Sequence, residues 1–128
     1  MKSLCWLSLS LSLLLPIQLL AQNELPKEIE ETVKLDGQDF TKIIEFFVPD
    51  KADDLYIVVQ GRNSGGRTRI YVYDPNGKKE CYLGLKADSG TSKGHMHENT
   101  DHPVAGVWSI KVINAGATGK LNISVKQW

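Results

Sequence analysis

From Val33 onward, the apolar residues of this chain recur at every second position. Leu55, Ile57 and Val59 alternate with Tyr56, Val58 and Gln60, and Ile70 and Val72 with Arg69, Tyr71 and Tyr73. Trp108, Ile110 and Val112 oppose Ser109 and Lys111, and Leu121, Ile123 and Val125 oppose Asn122, Ser124 and Lys126. A period of two sends successive side chains to opposite faces of an extended strand, so this chain is built from half-buried strands. The pattern extends to Val33 and Leu35, to Phe40, Ile44, Phe46 and Val48 (with Lys42 as the exception), and to Cys81, Leu83 and Leu85. Seven strand candidates result, with no amphipathic helix among them. Turn signals separate them at Asp36–Asp39, Pro49-Asp50, Asn63–Gly66, Asp74–Gly77 and Gly116–Gly119. Strands with one packed face and one wet face are satisfied by two antiparallel layers. The predicted fold is therefore all-β, an antiparallel, jelly-roll-like β-sandwich of about seven to eight strands, with a small closed barrel as the alternative.

The amino terminus follows different rules. Lys2 precedes Leu4–Leu15, a run of Leu, Ser, Cys and Trp only; Pro16 breaks it, and Ala21 meets the polar Gln22-Asn23-Glu24. These are the parts of a secretory signal peptide, expected at residues 1–21. The run falls short of the ~20 apolar residues that span a bilayer. A polar leader at 22–31 and one sandwich domain at 32–128 follow. The mature protein is expected to be secreted, periplasmic or extracellular, with no stable membrane insertion. Cleavage would remove Lys2 and no acid from a chain with 15 basic and 15 acidic side chains, leaving a net charge of −1. That balance speaks against nucleic acid as a partner and against a polybasic membrane patch as the main mode of action. With 41% apolar and 23% charged residues, the chain is not a disordered one. Cys81 would remain as the one mature cysteine, so no internal disulfide forms, and its inward parity reads as a small buried hydrophobe.

Four segments resemble the bacterial pre-peptidase C-terminal domains, which are related to proprotein-convertase P domains and other galactose-binding-like sandwiches. LYIVV at 55–59 and RIYVYDPNG at 69–77 are similar to the paired central strands of that family. PVAGVWSIKVINA at 103–115 and GKLNISV at 119–125 are similar to its closing hairpin. The resemblance spans roughly residues 30–128. It implies a non-catalytic module, usually appended to secreted proteases and other exported enzymes, whose members include binders of collagen, polysaccharide or calcium. No enzyme domain is read in the same chain, so a stand-alone secreted protein is expected.

Three groups of residues carry candidate chemistry. Outward parity collects Tyr56, Tyr71, Tyr73 and Tyr82, with Arg62, Arg69 and Trp128; tyrosines on one sheet face can stack on sugar rings or cover a peptide. Tyr56, Arg69, Tyr71, Tyr73 and Tyr82 are the expected ligand residues, for an extracellular polysaccharide or protein. Ala87–Pro103 reads as one long polar loop holding His95, His97 and His102, imidazoles suited to zinc or copper. Glu28, Glu30 and Glu31, with Asp50, Asp53 and Asp54, offer the hard oxygens that calcium takes. No cofactor is required; metal binding is the alternative function. His97-Glu98 with His102 has i, i+5 spacing, which does not place two ligands on one helical face as a zinc-protease motif does. Neither a Gly-x-Ser-x-Gly elbow nor a phosphate loop is present, so no enzyme is predicted.

Overall fold

The structure, a computed structural model, describes residues 25–128. The signal peptide read at 1–21 lies outside the described residues. Among the described residues there are six strands: β1 (Ile29–Asp36), β2 (Phe40–Val48), β3 (Asp54–Tyr73), β4 (Lys79–Asp101), β5 (Gly106–Ala115) and β6 (Thr118–Gln127). Every pairing is antiparallel. Strand β1 begins inside the stretch read as leader.

The two long strands decide the architecture. β3 pairs with β6 through residues 55–64 and with β5 through residues 67–73, while β4 follows its other edge. β1 then adds to β6, and β2 to β5. The sheet is thus folded into two four-stranded halves, β1-β6-β3-β4 and β2-β5-β3-β4, which share the β3–β4 hairpin and pack their inner faces together. Counted by segment, the sandwich has the predicted seven to eight strands.

The crease lies at Asn63–Gly66, where the sequence signals a turn. The chain does not stop there; it passes through a register shift between Ser64 and Gly66. The shift leaves Gly65 of β3 against residues 88–90 of β4, so β4 carries two extra residues and the hairpin bends there. Inward parity accordingly changes from odd (Leu55, Ile57, Val59) to even (Ile70, Val72). Gly66 has φ +156, and a Cβ there would sit 2.6 Å from the Ala115 carbonyl oxygen, so only glycine fits against the β5–β6 turn.

A larger correction concerns Ala87–Pro103. Residues 87–101 belong to β4, and residues 91–101 pair with 54–64, so the predicted loop is for the most part an edge strand. Its inward positions carry Ser92, Gly94, Glu98 and Thr100, with Met96 as the one large apolar side chain. An edge strand that covers little core needs no apolar alternation.

One hydrophobic cluster fills the space between the halves, drawing on all six strands. Trp108 is its largest member, 1% exposed, stacked on Phe46 at 6.1 Å between centroids, with its indole N–H donating to the Val104 carbonyl at 2.8 Å. Cys81 faces Val72 and is half-buried against the cluster, close to its predicted place. Near the crease a buried polar chain joins the elements. Asn63 Nδ2 donates to Thr68 Oγ1 (3.2 Å) and the Leu85 carbonyl (3.0 Å), and Thr68 Oγ1 donates to Asn114 Oδ1 (3.0 Å). Asn114 Nδ2 in turn donates to the carbonyls of Gln38 (2.9 Å) and Ala117 (3.0 Å), tying the β1–β2 and β5–β6 turns to the crease.

Candidate functional site

Register brings the tyrosines of the β2-β5-β3-β4 half together. Tyr71 on β3 stands opposite Tyr82 on β4 and Lys111 on β5, and Lys111 stands opposite Ile43 on β2. The Tyr71 ring lies 5.0 Å from Tyr82 and 6.1 Å from Tyr73, with interplanar angles of 38° and 24°. The Tyr71 and Tyr73 rings are stacked and the Tyr82 ring is tilted against Tyr71, so the three form one contiguous aromatic cluster. Lys79 Nζ sits 5.5 Å from the Tyr71 ring centroid and 5.9 Å from that of Tyr82, within cation–π range. Gly84 has no side chain, and the Tyr82 phenol occupies the room a Cβ would need. Arg69, opposite Gly84, borders the patch. Tyr82 and Ile43 remain 44% and 59% exposed, so the surface is open to solvent and partly apolar.

Tyr56 is not part of it. Outward parity is right, but Tyr56 lies on the other half of β3, across the crease, with its ring 6.4 Å from His97. The expected five-residue set therefore splits into Arg69, Tyr71, Tyr73 and Tyr82 on one outer face and Tyr56 on the opposite one. Trp128, 67% exposed, also belongs to the Tyr56 half: its backbone pairs with Asp53 and Asp54.

The outer face of the β1-β6-β3-β4 half is polar and carries two open hollows. A hollow of about 480 Å³ on it is lined by Gln60, Arg62, Lys93, His95, Lys120 and Asn122 together with Gly61 and Gly94. A second hollow of about 330 Å³ adjoins it, sharing Gln60 and Asn122 and extending to Glu30, Thr32 and Ser124. Sequence reading missed this face because Lys93, Gly94 and His95 in its wall lie on the strand taken for a loop.

The metal candidates are dispersed. His95 and His97 point the same way, 5.3 Å between centroids, as i, i+2 spacing on a strand requires. His102 lies past the end of β4 at φ 50, its backbone N–H donating to the Asp53 carbonyl. Among the described residues no group of three or more His, Cys, Asp or Glu side chains could hold a metal ion. Of the acidic candidates, Glu31 pairs with Lys42. Asp54 stands opposite Asp101, and the hydrogen bond between the two carboxyls, then desolvation and the charges of Asp101 and Asp53, raises the Asp54 pKa.

Burial, with help from the charges of Glu98 and Glu80, pushes the Cys81 thiol from 9.0 up to about 12. The thiolate is the reactive form, so the native protein should react with a thiol reagent at pH 8 at least ~100-fold more slowly than the urea-unfolded chain. Equal rates would show an accessible, ordinary thiol. Above pH 9 the unfolded chain loses this proton before the folded one does. The contribution of Cys81 to stability is thus intact below pH 9 and declines as pH rises towards 12.

No model of a protein family matches this chain, and no curated protein matches it in sequence. Solved structures do match. The pre-peptidase C-terminal domain of a collagenase from Bacillus anthracis is 20% identical over 80% of this chain and 90% of its own, with a TM-score of 0.47. The lipase BlEst2 of Bacillus licheniformis, in propeptide form, is 20% identical over 80% of this chain but only 22% of its own, with a TM-score of 0.49. A carbohydrate-binding module specific for non-crystalline cellulose is 11% identical over 78% and 73% of the two chains, with a TM-score of 0.44. A member of the family that the sequence resembles is thus among the solved structures similar to this chain.

Proposed function

We propose that this protein is a secreted, non-catalytic binding module that takes an extracellular polysaccharide or protein on the outer face of its β2-β5-β3-β4 half. The observation that carries this reading is the Tyr71–Tyr73–Tyr82 surface, three rings within 6.1 Å of a neighbour on rigid, paired strands. Tyrosine offers a large contact area with few torsions to freeze, and its hydroxyl adds a hydrogen bond at the rim. Sugar rings and extended peptides both present flat apolar faces to such a surface. Arg69, Lys79 and Lys111 border it with donors. The mature protein is to be screened against neutral polysaccharides, collagen and gelatin. Tyr71→Ala with Tyr73→Ala should abolish binding of the ligand so found, because both outward side chains leave the core untouched. Unchanged binding by a folded double variant would reject this face.

A further inference from the structure

A second surface, on the opposite face, carries a charge pattern that the neutral composition conceals. Lys34 on β1 stands opposite Lys120 on β6, Lys120 opposite Arg62 on β3, and Arg62 opposite Lys93 on β4. One cross-strand row thus consists of four cations, all exposed and pointing outward. At the usual strand spacing of ~4.8 Å it spans about 14 Å. Gly119, at φ +137, helps to set this register: any side chain there would strike the Arg62 carbonyl. Among the described residues none of the four has an acidic side chain within ion-pair distance. Like charges placed directly opposite on a sheet repel, so the row costs stability unless an anion lies across it.

The surroundings narrow the anion. The next row is Thr32, Asn122, Gln60 and His95, again one residue per strand; its Asn122, Gln60 and His95 line the 480 Å³ hollow with Arg62, Lys93 and Lys120, and Thr32 lines the adjoining one. Hydroxyl and amide groups that both donate and accept suit sugar hydroxyls. The row on the other side is Asp36, Thr118, Ser64 and Thr91, in which only Asp36 is charged. No tyrosine, phenylalanine or tryptophan stands in these three rows, so the surface lacks the stacking platforms of single-strand nucleic-acid sites. We propose that this face binds a polysaccharide bearing carboxylate or sulfate groups, with Lys34, Lys120, Arg62 and Lys93 on the anionic groups and Asn122 and Gln60 on the hydroxyls. This site is separate from the tyrosine face and does not depend on it.

The test measures binding of the mature protein to polygalacturonate, dextran sulfate, neutral dextran and single-stranded DNA at low and moderate salt. One of the two anionic polysaccharides should bind, neutral dextran should not, and affinity should fall as salt screens the row. Arg62→Gln with Lys120→Gln should weaken that binding by at least ~10-fold, and so should Lys34→Gln with Lys93→Gln at the ends of the row. Both variants should melt no lower than the parent, since each removes repulsion, and either one suffices should the other fold poorly. Tyr71→Ala with Tyr73→Ala should leave this binding unchanged, so the two faces fail separately. Equal binding of neutral dextran, no binding of either anionic polymer, tighter binding of DNA, or an unaffected pair of row variants would overturn the proposal.

Discussion

Trp108→Ala is expected to destabilise the domain by about 3–5 kcal/mol, the usual range for deleting a large aromatic side chain from a core. Trp108 is 1% exposed, lies near the start of β5 and stacks on Phe46, so the deletion opens a cavity between the halves that neighbouring strands cannot close. A domain of this size holds roughly 5–15 kcal/mol in all, so the variant should be folded but marginal. Its urea midpoint should drop with little change in slope, and its melting midpoint should fall by at least ~12 °C. Trp108→Phe should cost less than half as much. It keeps a ring against Phe46 and loses part of the indole's buried volume and the bond to the carbonyl of Val104, a residue 45% exposed, where water can replace the indole N–H. A loss below about 1 kcal/mol in the alanine variant would mean that the sandwich does not close over this residue.

The second large effect is expected at Asn114→Ala, about 2–4 kcal/mol, although it removes little apolar area. The side chain donates to the Gln38 and Ala117 carbonyls and accepts from Thr68; Ala117 keeps the Gly37 N–H at 3.0 Å, whereas the Gln38 carbonyl and the buried Thr68 hydroxyl lose this partner, at ~1–3 kcal/mol for each buried group left unpaired. Because one amide holds both turns to the crease, the effects of Asn114→Ala and Thr68→Val should not add. A double-mutant cycle by urea denaturation should give a coupling above about 0.5 kcal/mol. Strict additivity would show that the three side chains do not act as one network.

These two residues were not equally visible in the sequence. Trp108 stands in an unbroken alternation with Ile110 and Val112, and alternation survives wherever a strand has one buried face. The strands at 40–48, 106–115 and 118–127 could be read for the same reason. Asn114 breaks the apolar alternation just before a turn and Asn63 opens a stretch that signals one, so neither reads as buried; both are, because the crease folds over them. The stretch from Thr91 to Asp101 gave no strand signal. Its partners lie 27 to 47 residues away, and of its inward side chains only Met96 joins the core cluster.

The candidate faces divide along the same line. Local parity was enough to say that Tyr71, Tyr73 and Tyr82 point outward, since it depends only on the geometry of each strand. It could not separate Tyr56 from them, because the bulge at Ser64/Gly66 places the two ends of β3 in opposite layers. Nor could it bring Lys34, Arg62, Lys93 and Lys120 into one row, because residues far apart in the chain become neighbours only through strand order and register. Which side chains meet core or water was set by the pattern along the chain; which of them meet one another was set by how the sheet closes on itself.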